Sequence, residues 1–334
     1  MSENKSKLIN CPICNGSKFK KLLTKDMLNE VYQLVKCKSC DLVFFNPLPS
    51  QETLTEYYNG EYAVPVYQQK KVILKSKKVL GLLKKLGLTE NSKIFELGAS
   101  HGFFLNEAKK NNFKPYGVEL SKKACDNAKK KFDIEVENNL FDESSYYKKK
   151  NYFDVCCMFD VLEHVTNPNP VIEGFSKILK SGGKVVFTVP NIDSTEFKFY
   201  GKHWEWLSPP AHLYYYSPNT MKKLLEKHGF KVEHVETYKG DSAGNILFHS
   251  YLSLRQSVFY SLKYLYGREK LLKKRESISK SIDSVGIKNK KEFSGLSGVV
   301  YSFSELFNPV LKGFEKSRNN RGNGATLLIV AKKK

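Results

Sequence analysis

The segment at residues 93–102, KIFELGASHG, places the strongest constraint on how this chain can fold. Its first five residues favour a β-strand, Gly98 and Gly102 bracket a turn, and a helical pattern of apolar residues begins at Phe103. Glycines let the backbone approach a ligand closely, and the N–H groups at a helix N-terminus can bind a polar or anionic group. The segment therefore predicts a strand, a turn and a helix that form a nucleotide-cofactor loop.

This loop differs from a dinucleotide-binding loop in its glycines and in its neighbouring acidic residues. The pattern G-x-G-x-x-G is not met, since Ser100 and Phe103 stand at its second and third glycine positions. Glu96 precedes the first glycine by two positions instead. A second strand pattern at 115–118 ends in Glu119, about 20 residues downstream, where folds of this kind bind ribose hydroxyls.

With these carboxylates, the chain resembles the class I S-adenosylmethionine-dependent methyltransferases. Their E/D-x-G-x-G-x-G loop is similar to residues 96–102, with Ser100 in place of the middle glycine. The stretch DVLEHV at 160–165 resembles that of a large subgroup that includes the quinone O-methyltransferases. Asp142 lies where the family holds adenine, although it could equally be a surface acid. The resemblance implies S-adenosylmethionine as cofactor, bound by Glu96, Gly98, Ser100, Gly102, Glu119, Leu120, Asp142, Phe159 and Asp160.

Strand patterns alternate with helical patterns along residues 93–189, and the third of these strands is expected at 134–136. A sixth strand at 230–235 and a seventh at 325–331 follow. This order predicts an α/β fold: a doubly wound, Rossmann-like, seven-stranded methyltransferase sheet with a small N-terminal zinc ribbon and a helical insert before the last strand. Ligands in such sheets bind outside the carboxyl ends of the strands. Five candidate residues fall at those ends: Gly98, Glu119, Asp142, Asp160 and Asn191.

Two Cys-x-x-Cys pairs, separated by 22 residues, lie near the N-terminus at Cys11, Cys14, Cys37 and Cys40. Four thiolates with this spacing can hold a tetrahedral Zn²⁺, and a segment this short needs such a cross-link in order to fold. Strand-like flanks make the module a zinc ribbon. A redox-active pair is the alternative, although one Cys-x-x-Cys would suffice for it. Ribbons bind nucleic acid in many proteins, but the mixed composition here favours a structural or lid role at least equally.

The sequence predicts five parts. They are a zinc ribbon at 1–48, a helical linker or lid at 49–92, an S-adenosylmethionine-binding core at 93–250, a basic helical insert at 251–320, and a last core strand with a tail at 321–334. Tyrosines clustered in the linker either cover the site or pack the ribbon onto the core. Residues 251–334 carry 18 basic and 6 acidic residues. Their net charge of 18 − 6 = +12 is over half of the net charge of +21 of the whole chain. The insert could be a helical cap, a dimer face, or a platform for an anionic substrate or membrane surface.

Composition limits the location and partners of the protein. No apolar run approaches the length of a membrane span, the first ten residues lack a signal-peptide core, and seven cysteines suit reduced thiols. These features predict a cytoplasmic protein, with membrane association as an option. The charge of +21 fits a solvated lysine-rich surface or attraction to an anionic partner. The expected partner is a small-molecule or glycan substrate that is anionic, because phosphates would match the lysines. Nucleic acid is less favoured, and the oligomeric state is open.

The stretch at 201–217, GKHWEWLSPPAHLYYYS, holds both tryptophans, two histidines and three successive tyrosines. A long insertion of this composition predicts a wall of the substrate pocket. Its P-x-H-L-Y-Y-Y-S pattern resembles a loop of bacterial methyltransferases that act on sugars of cell-surface polysaccharides or on nucleotide-linked deoxysugars, and these also carry a four-cysteine zinc module. Members that methylate carbon have a glutamate just before the histidine, where this chain has Ala211. The departure favours methyl transfer to oxygen.

The predicted function is methylation of a sugar hydroxyl, with His212 as the base and His164 as second choice, because an imidazole has a pKa of about 6.5. Each histidine could also be purely structural. Some O-methyltransferases with E-x-x-E-H bind Mg²⁺, at the places of Asp160, Glu163 and His164 here. Many relatives with D-V-L-E-H need no metal, so Mg²⁺ is not expected. The alternatives are an rRNA methyltransferase, since one such family also joins a zinc ribbon to this fold, a deoxysugar C-methyltransferase, and a non-catalytic scaffold.

Overall fold

The structure, a computed structural model, describes residues 8–27, 30–50, 52–54, 66–238 and 322–334. The predicted basic insert at 251–320 and most of the linker tyrosines lie outside these residues. Within the described part of the chain, no helix is both long and apolar enough to cross a membrane.

Three antiparallel strands form the N-terminal module: β1 (Phe19–Met27), β2 (Glu30–Cys37) and β3 (Val43–Phe45). The rest of the chain forms an α/β core. Its elements are α1 (Val66–Lys85), β4 (Lys93–Leu97), α2 (Phe103–Lys110), β5 (Lys114–Val118), α3 (Lys122–Phe132), β6 (Phe153–Phe159), α4 (Pro168–Ile178), β7 (Leu179–Pro190), α5 (Thr195–Tyr200), β8 (Tyr214–Tyr215), α6 (Pro218–Lys227), β9 (Phe230–Tyr238) and β10 (Thr326–Lys333).

The main sheet has the order β5-β4-β6-β7-β10-β9. The first four strands are parallel, and β10 runs antiparallel to both of its neighbours. The α/β class is confirmed, with a mixed sheet of six strands among the described residues, one fewer than the seven predicted. The segment at 134–136 does not form the expected strand, because the only pairing there is a single bridge between Val118 and Glu137.

The central strands are apolar because both faces of the sheet are covered. Successive residues alternate between two clusters: Phe95 and Cys156 pack into one, and Ile94 and Val155 pack into the other. All four side chains are fully buried. Strands of a parallel sheet that is buried on both faces have continuously apolar sequences, which explains the composition of β6. This layered core holds the carboxyl ends of β4, β5 and β6 at one edge.

The N-terminal module is joined to the core through a shared sheet. Strand β3 pairs with β8, which belongs to the aromatic loop at 201–217, so the order of the second sheet is β1-β2-β3-β8. Phe45 and Tyr215 meet edge to face with ring centroids 5.9 Å apart, and Phe44 stacks on Tyr214 at 5.8 Å. The aromatic loop is therefore held against the module by both backbone pairing and ring packing.

We expect the substitution Phe45→Ala to lower the free energy of unfolding by about 3–5 kcal/mol, because it empties a fully buried site in the cluster that contains Trp204 and Tyr215. Val31→Ala is the matched control, since Val31 lies on the adjacent strand and is 71% exposed. Its effect should stay within about 0.5 kcal/mol. Urea denaturation of both variants measures the difference. Equal losses would show that the contact between module and core adds no stability.

Candidate functional site

The turn between β4 and α2 is left-handed at three positions. Gly98 has φ of 76°, Ser100 of 47° and Gly102 of 74°. A Cβ on Gly98 would lie 2.6 Å from Cγ2 of Val161, so a larger residue is excluded by space as well as by conformation. The N–H of Gly98 donates to the carbonyl of Val118 at 2.9 Å, which ties the turn to the end of β5. The backbone is thus shaped to lie close to a ligand.

Glu119 is fixed by the same turn. Its two carboxylate oxygens accept hydrogen bonds from the N–H groups of Ser100 and Ser121, each at 2.9 Å. Leu120 follows Glu119 directly, and Leu140 lies two residues after Asn138, whose side-chain amide donates to the carbonyl of Glu119 at 3.0 Å. These leucines are 65% and 47% exposed, which is high for leucine. Such exposed apolar side chains next to a carboxylate suit the flat base and the ribose of a nucleoside. Asp142 lies at the surface, so an adenine contact for it stays a prediction.

Glu96 is a buried acid below the turn. Burial raises the pKa of its carboxyl well above the usual range, and the nearby charge of Glu119 adds to the effect. Among the described residues, Oε2 of Glu96 and Oγ of Ser100 have no hydrogen-bond partner. Buried polar atoms are normally paired, so these two are candidates for contact with a bound polar or cationic ligand. The residues around the turn therefore fit a nucleoside that also carries a positive charge.

Asp160 ends β6 on the other side of the turn, in a left-handed conformation with φ of 55°. Its Oδ1 accepts a hydrogen bond from Oγ1 of Thr188 at 3.0 Å, and its Oδ2 lies 2.7 Å from Nζ of Lys75. The lysine comes from α1 and extends over the ring of Phe159, 5.6 Å from its centroid. Sequence reasoning missed Lys75, because it is one of many lysines on an amphipathic helix.

The DVLEHV turn and the aromatic loop meet at a second group of residues. Glu163, His164 and His212 each place one donor atom within 4.8 Å of the others. The loop reaches this position because the N–H of Leu213 donates to the carbonyl of Glu163 at 2.8 Å. Both oxygens of Glu163 are buried without a hydrogen-bond partner in the described part of the chain.

Both histidines are oriented by backbone carbonyls. Nδ1 of His164 lies 3.0 Å from the oxygen of Ala211, and Nδ1 of His212 lies 2.8 Å from the oxygen of Trp206. A carbonyl can only accept, so each imidazole donates from Nδ1 and carries its lone pair on Nε2 when neutral. The rings meet edge to face with centroids 4.7 Å apart. The two predicted catalytic histidines are therefore brought together.

The pKa values of these groups differ from the sequence expectation. Burial lowers the pKa of His164 to about 4, and burial together with the neighbouring His164 lowers the pKa of His212 to about 3. Burial and the charge of Asp160 raise the pKa of Glu163 well above its usual range. Both imidazoles are therefore neutral at neutral pH, whereas the sequence suggested a base with an ordinary pKa of about 6.5.

The four cysteines fit a structural zinc ion. The Sγ atoms of Cys11 and Cys40 are 3.3 Å apart, those of Cys14 and Cys37 are 3.5 Å apart, and all four lie within 4.8 Å of one another. Tetrahedral Zn–S bonds of about 2.3 Å need a similar spacing. Burial raises the pKa of Cys11 to about 11, so a cation is needed to keep its thiolate form. A bound Zn²⁺ would supply that charge and cross-link the module.

A second donor set is formed by Glu163, His164 and His212, and two imidazoles with one carboxylate are a set that can bind a divalent cation. It differs from the set considered from the sequence, because His212 stands in place of Asp160. Asp160 instead bonds to Thr188 and Lys75.

Comparison with known proteins gives the family. Residues 69–235, half of the chain, match the family model of a methyltransferase domain. The chain belongs to this methyltransferase family. The matched region contains the glycine turn, Glu119, the DVLEHV turn and His212 of the methyltransferase. Membership implies S-adenosylmethionine as the methyl donor.

Individual relatives are distant. The chain is 29% identical over 111 residues to a ubiquinone biosynthesis O-methyltransferase from Nitrosomonas europaea, a match that covers 31% of this chain and 46% of the relative. The chain thus spans about half the length of that curated relative.

Solved structures of S-adenosylmethionine-dependent methyltransferases are also similar. One from Archaeoglobus fulgidus has a TM-score of 0.46 with 16% identity, covering 84% of this chain and 99% of its own. Another, from Mesorhizobium loti, has a TM-score of 0.42 with 15% identity, covering 74% and 94%. Both TM-scores lie below 0.5, so the family assignment rests on the family model.

We expect the purified methyltransferase to contain one zinc ion per chain, and the substitution Cys40→Ser to remove most of it, because three thiolates hold the ion more weakly than four. Cys125→Ser is the control, since Cys125 is buried in α3, away from the four-cysteine group. Metal analysis by mass spectrometry measures both. Full zinc content in the Cys40 variant would contradict the assignment.

The lowered pKa of His212 predicts a pH-dependent loss of stability. Below about pH 6.5 the unfolded chain protonates this imidazole while the folded chain keeps it neutral, so the folded state is disfavoured as the pH falls. His212→Asn removes this contribution. We expect the wild type to lose up to about 1.4 kcal/mol per pH unit relative to the variant between pH 6.5 and 5. Urea denaturation at several pH values measures it, and parallel curves would contradict the buried neutral state.

Proposed function

We propose that this methyltransferase transfers a methyl group from S-adenosylmethionine to a hydroxyl oxygen of a sugar, either nucleotide-linked or part of a cell-surface glycan. The observation that carries the proposal is the position of His164 and His212, two buried neutral imidazoles between the DVLEHV turn and the aromatic loop. Ala211 supports oxygen as the acceptor atom, because a carboxylate base is missing from that position.

The donor end of the site is built by residues at the strand ends. S-adenosylmethionine supplies an electrophilic methyl group when it is bound. Glu119 would hold its ribose hydroxyls, Leu120 and Leu140 would flank its adenine, and the backbone from Gly98 to Gly102 would lie against it. The fixed conformation of Glu119 means that little ordering is required on binding.

The acceptor end has an aromatic wall. The Trp206 ring is parallel to the His212 ring, with an interplanar angle of 9° and centroids 5.9 Å apart. The fully buried ring of Tyr215 lies next to His212, with centroids 6.4 Å apart. Methyl transfer is an in-line displacement that needs an aligned acceptor and exclusion of water, and a rigid apolar wall provides both.

His212 can serve as the base in spite of its low pKa. As the acceptor oxygen forms its bond to carbon, its own O–H becomes strongly acidic. A neutral imidazole whose conjugate acid has a pKa of about 3 can then accept that proton. The hydrogen bond from Nδ1 to the carbonyl of Trp206 keeps the tautomer with its lone pair on Nε2. The low pKa also keeps His212 unprotonated before the reaction.

A second candidate is methyl transfer to a sugar carbon, and one observation favours it. Glu163 is a buried carboxylate beside His212, both of its oxygens lack a partner among the described residues, and its pKa is raised. Once it has lost its own proton, a carboxylate with a raised pKa is a stronger base than an ordinary one and can remove a proton from an activated carbon. Glu163 could thus take the role of the glutamate that carbon-methylating enzymes have at the position of Ala211, although it comes from a different part of the chain.

A panel of nucleotide sugars, assayed with labelled S-adenosylmethionine, tests the proposal. We expect turnover of at least one sugar, with an O-methyl product identified by NMR. Glu119→Ala should abolish donor binding, and His212→Asn should lower kcat by about 10²–10⁴-fold with donor affinity unchanged. Lys222→Ala, on the exposed side of α6, is the control.

The products distinguish the candidates. A C-methyl product, lost in Glu163→Gln and retained in His212→Asn, would support the second candidate instead. Absence of donor binding by the wild-type chain would remove both. Retention on RNA that weakens steeply with salt, together with methylation of rRNA, would favour a nucleic-acid substrate over either sugar reaction.

A further inference from the structure

Lys75 forms an ion pair inside the site. Its Nζ lies 2.7 Å from Oδ2 of Asp160, and only 10% of its side chain is exposed. The lysine is carried by α1, which precedes the glycine turn by many residues, and α1 packs against α2. A buried lysine loses hydration and rotamer freedom, so such a position needs a strong compensating interaction.

The surroundings of Lys75 are strongly acidic. Asp160 and Glu163 come from the end of β6, and Glu96 comes from β4. Burial raises the pKa of both Glu96 and Glu163, and the charge of Lys75 partly opposes this rise. Lys75 is therefore close enough to influence all three carboxyl groups electrostatically.

The order of the strands relates this ion pair to the donor. Strands β5, β4 and β6 are adjacent, and they end in Glu119, the glycine turn and Asp160 respectively. Neighbouring strands are about 4.8 Å apart, so the end of β6 lies about 10 Å from the end of β5. A donor that placed its ribose at Glu119 and lay across the glycine turn would bring its amino-acid end towards the end of β6.

That end of S-adenosylmethionine is a zwitterion, with one ammonium and one carboxylate. We propose that Lys75 binds the carboxylate of the donor and Asp160 binds its ammonium. On binding, the direct contact between Lys75 and Asp160 is replaced by these two contacts with the donor. Each charge exchanges one partner for another, so that Lys75, the more buried of the two, is not left unpaired. The inference rests on the donor site of the proposed function and assigns to it a residue outside the glycine turn.

The test compares two ligands that differ in one carboxylate. S-adenosylmethionine and decarboxylated S-adenosylmethionine share the adenosine, the sulfonium and the ammonium. Calorimetric titration of the wild-type chain and of Lys75→Met gives four dissociation constants. The preference for the carboxylate is the Kd for decarboxylated S-adenosylmethionine divided by the Kd for S-adenosylmethionine. We expect this ratio to fall at least about tenfold in Lys75→Met, because a charge-assisted hydrogen bond to the carboxylate is lost.

Two further variants control the comparison. Lys77→Met removes an exposed lysine of the same helix and should keep the wild-type ratio. Lys75→Arg keeps the charge and should keep most of the preference for the carboxylate. Lys75→Gln is used alongside Lys75→Met, with the same expectation, should the methionine variant unfold. Thermal melting of each variant verifies that it is folded.

The outcomes separate this inference from the proposed function. A ratio that falls in Lys75→Met and Lys75→Gln but not in Lys77→Met supports the assignment. Equal losses of affinity for both ligands would overturn it, because Lys75 would then act through the structure of the site and not through the carboxylate. Failure of the wild-type chain to bind either ligand would remove the donor site itself, and this inference with it.

Discussion

The close approach of Gly98 to Val161 is the contact on which the rest of the site depends. A side chain at position 98 would collide with the residue that follows Asp160, so only glycine lets the ends of β4 and β6 come together. The same turn donates a backbone N–H to Glu119 at the end of β5. Three strand ends are thus brought to one edge by a single left-handed turn. Acidic side chains from all three strands converge there.

This convergence explains the electrostatic character of the site. Carboxyl groups crowded in a partly buried space repel one another, and proteins offset such repulsion by protonation or by a cation. Here burial, with the charge of a neighbouring carboxylate adding to it, raises the pKa values of Glu96 and Glu163, and Lys75 pairs with Asp160. A ligand with a sulfonium and an ammonium matches the same surroundings. The acidic side chains at the strand ends and the neutral imidazoles are therefore two chemically distinct groups of residues at the same edge of the sheet.

The sequence predicted those parts of the structure that depend on residues close together in the chain. The glycine turn, the buried strand β6 and the four clustered cysteines are each specified by residues close together in the chain. The sheet is less regular than predicted at 134–136, since that segment contributes one bridge and no strand. A short apolar pattern indicates burial, and it does not determine how many backbone pairs form.

The features that were missed depend on contacts between distant segments. Lys75 looks like its neighbouring lysines in the sequence, and only the packing of α1 directs it towards Asp160. The low pKa values of His164 and His212 follow from burial by the aromatic loop, which residue type alone does not reveal. The catalytic and donor-binding roles assigned from the sequence remain proposals, although the structure brings most of those residues to one edge of the sheet.

The pairing of β3 with β8 has a consequence for how the chain can be divided. Motifs place the cysteine module and the methyltransferase domain in separate units, yet Tyr214 and Tyr215 lie in a strand whose hydrogen-bonding neighbour comes from the module. Cutting the chain at the motif boundary would leave that strand with an open edge and its rings in water. The smallest unit that keeps this sheet intact therefore includes both the cysteine module and the aromatic loop.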